Sequence, residues 1–350
     1  MNSNTNDASL AKRFRCGLES ALARLAATFV PMLPYQVMRQ MAYGLGWCAY
    51  FLDGRSRRIS LANLDLAFGD SKSPRDKARI ARHSMQNFAA TLLTLFWSSR
   101  LTNPQLAALV EVDTDGLRHL RQRLAAGRGA VVVTPHYGNW ELLLLHGAAS
   151  GLPLRVITEA RRNQAVEALI TCLRSRSGAR IIPQRGAALK LLKALRRGEC
   201  VILITDHNPP EEGGGEWLEF FGVPAFSNNI AAALALRTGA PLFACHSLPL
   251  PDGRVRLIYG PEIPYTITGD DHADIRRISQ QCLDHFEKII RENPDHWLWF
   301  YKRWKHRKDI TPARYPFYTS TEPLSLPSRR SNPINTPQST SVPPSNAPNV

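Results

Sequence analysis

The chain has 350 residues, 44% of them hydrophobic, and its 44 Lys and Arg against 29 Asp and Glu give a formal net charge of +15. This length and apolar content support one large or two ordinary domains and exclude a wholly disordered chain. The charge points to anionic partners: nucleic acid, anionic lipid or an acidic protein. Cys16, Cys48, Cys172, Cys200, Cys245 and Cys282 contain no CxxC pair, which argues against a zinc ribbon, a redox motif or a disulfide framework.

The N-terminus, MNSNTNDASLAKRFRCG, is polar, and the apolar run behind it lacks a small-residue cleavage pattern, so no secretory signal is expected. Residues 25–38 hold two prolines, Pro31 and Pro34, and residues 40–52 are uncharged up to Asp53. Each run is shorter than the ~20 residues a spanning helix needs. With Lys12, Arg13, Arg15, Arg24 and Arg39 on their flanks, residues 1–55 read as helices that lie on a membrane surface or enter it shallowly. An ordinary buried helical hairpin is the alternative. Residues 56–100 predict helix broken at Ser73-Pro74, and residues 104–127 predict another helix.

The pattern then alternates. Strands are expected over 129–134, 152–158, 179–183, 200–205, 240–248 and 253–260, and helices over 163–177, 187–198 and 228–239. A long amphipathic helix covers 274–293, and the segment 206–217 reads as a loop. The alternation predicts an α/β fold, a mixed sheet flanked by helices, behind the N-terminal helical region. Residues 311–350 hold nine of the 25 prolines among Ser, Thr and Asn and read as a disordered tail. This tail has three Arg and one Glu, so the basicity belongs to the body. The expected division is therefore 1–55, 56–310 and 311–350.

Between a buried strand ending at Thr134-Pro135 and an apolar helix lies HYGNWE, residues 136–141. On one continuous helix His136 and Glu141 would sit ~140° apart. They converge only if His136 lies in a turn and Glu141 in the first helical turn. Gly138 permits that turn, and Asn139 is a good N-cap. A histidine held by a carboxylate suits general-base catalysis, in which a neutral imidazole takes a proton from a hydroxyl. The plainer readings are a hydrogen-bonded core histidine and a glutamate that complements the helix dipole.

HYGNWE resembles the H-x4-D/E motif of the lysophospholipid acyltransferase superfamily, and in particular of the bacterial lipid A biosynthesis (lauroyl/myristoyl) acyltransferases. RRISLANLDLAFGDSKSPRDKARIARHSMQNFA resembles the "R…NL…F" block of that family. VILITDHNPPEEGGGEWLEFFGVPAFSNNIAAALALRTGAPLF resembles its "DQD" segment, glycine loop and "FFG.PA", and HWLWFYKRWKHR its closing "W…RRFK.R" signature. The likeness spans residues 56–307.

The resemblance implies a glycerolipid acyltransferase-like fold and transfer of a fatty acyl chain from a thioester to a lipid hydroxyl. His136 would be the base and Glu141 its orienter. Asn139, Arg161, Arg162, Arg174, Asp206, Asn208 and Arg303 would be the substrate-binding residues, the arginines holding lipid phosphates. The implied partners are an acyl carrier protein or acyl-CoA donor, anionic membrane lipids, and a lipid or glycolipid acceptor such as a lipid A precursor, with no nucleic acid. The implied location is the cytoplasmic face of the bacterial inner membrane, and no cofactor or metal is implied. Two positions depart from the family. An arginine about three residues ahead of Asn-Pro is replaced by EARRNQ, and "DQD" by Asp206-His207-Asn208.

Other chemistries have weaker signals. Gly213-Gly214-Gly215 lacks the Lys-Ser/Thr of a phosphate loop, and no GxSxG is present. His136, Glu141 and His146 do not have HExxH spacing, so a metal site is not expected. YKRWKHRK (301–308) interleaves basic and aromatic residues, which also fits a nucleic-acid-binding protein. Trp297, Trp299 and Trp304 fit an interfacial belt at least as well. A non-catalytic lipid-binding relative is the remaining alternative.

Overall fold

In the computed structural model, which describes residues 3–158, 163–183, 186–209, 214–306 and 315–319, with side chains from residue 15 onward, the first hundred residues are helical. They form α1 (Ser3–Phe29), α2 (Tyr35–Leu52), α3 (Gly54–Phe68) and α4 (Pro74–Trp97). The break before α4 falls where the sequence puts it. Ser73 accepts the Asp76 amide at 3.1 Å, and Pro74 opens the first turn, where its missing N–H costs nothing. Met38, Ala42, Gly46 and Tyr50 form the buried stripe of α2. A Cβ at Gly46 would lie 2.4 Å from the Gln86 Cα, so glycine is what lets α2 pack this closely on α4. The opposite side is apolar and exposed. Among the described residues, eleven of the fourteen exposed large hydrophobic side chains lie between Leu18 and Leu52, Trp47, Phe51 and Leu52 among them.

The helix expected over 104–127 is three elements: α5 (Asn103–Ala108), β1 (Val110–Val112) and α6 (Thr114–Ala125). Val110-Glu111-Val112 pairs with a later strand, and Asp113 then caps α6 by accepting the Gly116 amide at 3.1 Å. Sheet pairing and a cap override a pattern that reads as helix throughout.

The remaining elements follow the expected alternation. They are β2 (Ala130–Thr134), α7 (Trp140–Ala149), β3 (Leu154–Thr158), α8 (Gln164–Ser175), β4 (Arg180–Pro183), α9 (Ala187–Arg196) and β5 (Cys200–Ile204). After them come β6 (Gly215–Phe220), β7 (Val223–Asn228), α10 (Ile230–Thr238), β8 (Leu242–Pro249), β9 (Val255–Ile263) and α11 (Asp271–Glu292). The hairpin β6–β7 occupies a stretch read as loop and unassigned chain. Its turn uses Phe221 at φ +54° followed by Gly222 at φ +69°.

One seven-stranded sheet has the order β1-β9-β8-β2-β5-β3-β4. Its pairs are parallel except β8–β9, so the fold is α/β with a mixed sheet between helices, as the alternation predicts. Every residue of β2 is buried, which explains its unbroken apolar run. No helix of the described residues is long and apolar enough to cross a membrane.

Trp297, Trp299 and Trp304 are in the core, each at most 1% exposed, instead of in an interfacial belt. At the described part of the tail, Tyr318 hydrogen-bonds Asn63, and the Thr319 hydroxyl donates to the Trp304 carbonyl at 2.8 Å. Residues 315–319 therefore pack on the body, ahead of the Pro/Ser-rich run; the rest of 311–350 lies outside the described residues.

Candidate active site

The parallel register of β2 and β5 builds the site. Thr134 pairs with Ile204, and the Thr205 amide continues the ladder to the Thr134 carbonyl at 3.2 Å. Two residues beyond each strand end are His136 and Asp206, which the register sets side by side. The carboxyl ends of parallel strands are where α/β folds open crevices for ligands. The His136 amide donates to Asp206 Oδ2 at 3.0 Å, and His136 Nδ1 lies 2.8 Å from Oδ1. Trp297 Nε1 donates to Oδ2 at 2.8 Å.

Asp206 is fully buried. Burial works against its ionised form. The facing His136 and His207 and the hydrogen bonds from His136 and Trp297 outweigh it, and hold the carboxyl below the usual carboxylate range. An ionised carboxylate only accepts, so Nδ1 carries the hydrogen and Nε2 keeps its lone pair. Among the described residues no side chain is bonded to Nε2, and the imidazole is 21% exposed.

The loop that presents His136 is pinned on both sides. Tyr137 bridges to Trp297, and its hydroxyl donates to the Ile289 carbonyl at 3.0 Å. The Gly138 amide donates to the His296 carbonyl at 2.9 Å, and Thr91 donates to the Gly138 carbonyl at 2.9 Å. Gly138 sits at φ +59°, and a Cβ there would lie 2.0 Å from the Ser247 carbonyl oxygen, so no larger residue fits. Asn139 is buried and caps α7 by accepting the Leu142 amide at 3.1 Å, which commits its side-chain oxygen to the helix.

Glu141 does not take the place expected for it. It starts α7 at 1% exposure, but its carboxylate faces Arg174, with Nε to Oε2 at 2.9 Å and Nη2 to Oε1 at 2.5 Å. Trp140 Nε1 donates to the same Oε1 at 3.1 Å. The contact on His136 Nδ1 that the motif spacing suggests for Glu141 is made by Asp206. In the first turn of α7, the glutamate is directed to Arg174 of α8 and not to the strand end. Burial alone would lower the Arg174 pKa; the Glu141 charge raises it above the usual value.

Removing one member of such a pair strands a buried charge and costs about 3–5 kcal/mol. Glu141→Leu is expected to lower the thermal midpoint accordingly, and Glu141→Leu with Arg174→Leu to recover most of the loss. A stable but inactive Glu141→Leu protein would instead give Glu141 a direct chemical role.

Arg303 and Asn208 form a second buried network. Arg303 is 0% exposed; Nη1 donates to Asn208 Oδ1 at 2.9 Å and to the Phe226 carbonyl at 2.8 Å, and Nη2 to the Ser227 hydroxyl. Burial pushes its pKa down to about 10. A guanidinium enclosed in this way braces the β6–β7 hairpin and does not meet a lipid phosphate, which corrects the role expected for it. Asn208 also donates to the Lys302 carbonyl at 3.1 Å, and its amide to the Tyr301 hydroxyl at 3.2 Å. Arg161 and Arg162 lie outside the described residues.

His136, Asp206 and His207 bring one potential donor atom each within 4.8 Å of one another, the only such group among the described residues. The His136 and His207 rings are stacked, 3.9 Å between centroids and 17° between planes. Stacked rings direct their lone pairs side by side, so one ion cannot lie in the plane of both. The arrangement fits a proton-transfer dyad better than a metal site. Asp206 is legible in the sequence as a strand-end carboxylate, but only the β2–β5 register makes it the partner of His136. Trp297 and Tyr301 belong to the closing HWLWFYKRWKHR block, but nothing in that block says that they reach Asp206 and Asn208.

The family profile described as bacterial lipid A biosynthesis acyltransferase matches residues 18–306. The chain is 28% identical over 300 residues to the lipid A biosynthesis lauroyltransferase of Escherichia coli K12, covering 82% of this chain and 91% of that protein. It is 26% identical over 282 residues to the palmitoleoyltransferase of the same organism, with 79% and 87% covered. It is 26% identical over 230 residues to the phosphatidylinositol mannoside acyltransferase of Mycobacterium tuberculosis H37Rv, with 63% and 69% covered. With the profile spanning most of the N-terminal helical region and the His136–Asp206 crevice, the chain belongs to the bacterial lipid A biosynthesis acyltransferase family and is an acyltransferase.

Proposed function

We propose that the protein moves a fatty acyl chain from a thioester, on acyl carrier protein or coenzyme A, to a hydroxyl of a membrane glycolipid such as a lipid A precursor. The observation that carries this reading is the His136–Asp206 dyad at the end of two parallel strands, with Nε2 open. The acceptor hydroxyl gives its proton to Nε2 as its oxygen attacks the thioester carbonyl. The tetrahedral intermediate then expels the thiolate: the C–S bond breaks, and the proton passes from the imidazolium to sulfur. Asp206 holds the ring and stabilises the imidazolium. The step needs no acyl-enzyme. The relatives' names differ in acyl group and in acceptor, so the names alone select neither.

The test supplies the protein in detergent with radiolabelled acyl-carrier-protein and acyl-CoA in separate reactions, and a bacterial membrane lipid extract. A labelled lipid is expected from one donor. No labelled lipid from either, with lipid binding intact, favours the non-catalytic lipid-binding reading.

Residues 1–55 are proposed as a surface that engages the cytoplasmic face of the inner membrane. The exposed Arg24 falls between the exposed Leu22 and Leu25 of α1, and the exposed Arg55 follows the exposed Leu52 at the end of α2. Apolar side chains with basic neighbours suit an anionic interface. The wild type is expected to co-sediment with vesicles containing anionic lipid, and Trp47→Glu with Phe51→Glu to lower the bound fraction at least ~10-fold. Equal binding by both proteins would move the membrane contact elsewhere. Residues 56–310 would form the catalytic domain and 311–350 the tail, of which 315–319 rest on the body.

A further inference from the structure

His207 follows Asp206 immediately, and the transfer step above gives it no task. Its ring is nonetheless held between two others. One face lies on His136, 3.9 Å between centroids and 17° between planes. The other lies on Tyr301, 3.6 Å and 8°. The Tyr301 hydroxyl accepts the Asn208 amide at 3.2 Å, which ties the back of the stack to the chain that carries Asp206. His207 Nε2 is shut off from solvent and has no hydrogen-bond partner. That nitrogen makes no bond that would explain the residue, whereas both faces of the ring are in contact.

Resting on the reading of His136 as the base, we propose that His207 is a positioning residue for acyl transfer: its ring face holds the His136 imidazole in register and stabilises the imidazolium formed when His136 takes the acceptor's proton.

A cation within about 6 Å of an aromatic centroid and over its face is attracted by the ring's quadrupole, most strongly where water is excluded. An imidazolium at His136 meets that condition on the His207 side. Asp206 serves it in the ring plane through Nδ1, and Trp140 meets it edge-on at 5.1 Å and 79°. The effect requires His207 to stay uncharged, since a second cation in the stack would repel the first. Burial pushes its pKa down to about 3, and His136 and Arg303 add to this against the opposing pull of Asp206. Among the described residues, the charged and titratable groups at the stack are Asp206 and His207 after β5, and Tyr301 and Arg303 from the closing segment. The Glu141–Arg174 pair of α7 and α8 lies behind Trp140.

The test compares two variants that keep a flat aromatic face, His207→Phe and His207→Tyr, with two that remove it, His207→Gln and His207→Leu. Two of each kind keep the comparison alive if one fails to fold. The Gln and Leu variants are expected to lose roughly 10-fold in kcat with KM little changed. The acid limb of their kcat/KM profile should move to lower pH by up to about one unit, because the protonated ring has lost its support. The Phe and Tyr variants are expected to stay within roughly three-fold of wild type with the limb in place. Equal losses in all four, no loss in any, or a change in KM alone would overturn the proposal. His136→Ala is run beside them. If it still transfers label, the base reading falls and this inference with it; if it is inactive while the four His207 variants behave alike, this inference alone falls.

Discussion

His136→Ala is expected to form labelled lipid at a rate roughly 10²–10⁴ below wild type, the range that a positioned general base contributes. Among the described residues His136 Nε2 bonds no side chain and belongs to a ring that is 21% exposed at the crevice the β2–β5 register opens, whereas His207 Nε2 is shut off from solvent. Alanine removes the His136 nitrogen and leaves the loop's other anchors in place. Those anchors are the Tyr137 bridge to Trp297, the Gly138 hydrogen bonds to His296 and Thr91, and the Asn139 cap. Alanine also takes the Nδ1 partner from the buried Asp206 carboxylate, so the thermal midpoint is expected to fall. Label is therefore compared below that midpoint, where binding of lipid vesicles should match wild type and lost label reads as lost chemistry. Label formed equally by both proteins would remove His136 from the mechanism.

Asp206→Asn is expected to cost a similar roughly 10²–10⁴ in kcat with little change in KM. Asparagine keeps the size and offers an amide, but it no longer forces Nδ1 to carry the hydrogen, and it carries no charge to offset the imidazolium. Asp206 is the better test of the dyad than Glu141. Glu141→Gln is expected to act mainly on stability through Arg174, so the activity losses should rank Asp206→Asn far above Glu141→Gln. The reverse order would return the orienting role to Glu141.

The pH dependence of stability follows from the same geometry. The folded pKa of Asp206 is depressed, so its contribution is fully present above the unfolded value of ~3.9 and is lost as pH falls through the folded value. Replacing Asp206 with Asn should accordingly flatten the acid side of the wild-type stability curve, measured as thermal midpoint against pH.

Much of the fold was legible because local signals agreed with one another. The apolar run Ala130–Val133 signalled a buried strand, and Ser73-Pro74 marked the break before a new helix. Gly138-Asn139 marked a turn and a cap, and the pattern after residue 129 alternated at the periods of strand and helix. The failures lie where a long-range partner overrode a local preference. Val110–Val112 joins the sheet because β9 lies beside it, and 215–228 is a hairpin because β6 and β7 cover each other.

The tryptophans of the closing segment show the same limit from the other side. Aromatic and basic residues interleaved at 297–305 read equally as a membrane belt, a nucleic-acid surface or a core. Burial at 0–1% for Trp297, Trp299, Arg303 and Trp304 decides for the core. Composition does not carry the direction a side chain faces.

By itself, the sequence determined the α/β alternation, the turn that frees His136 from the helix, and the motif blocks that mark the family. Each of these depends on residues close together in the chain. Only the tertiary structure decided which carboxylate serves the histidine. Glu141 is five residues away and faces Arg174; Asp206 is seventy residues away and is brought to Nδ1 by the pairing of Thr134 with Ile204. A parallel ladder aligns strand ends whatever chain separates them, and that register is set by the packing of the whole sheet, not by any local stretch of it.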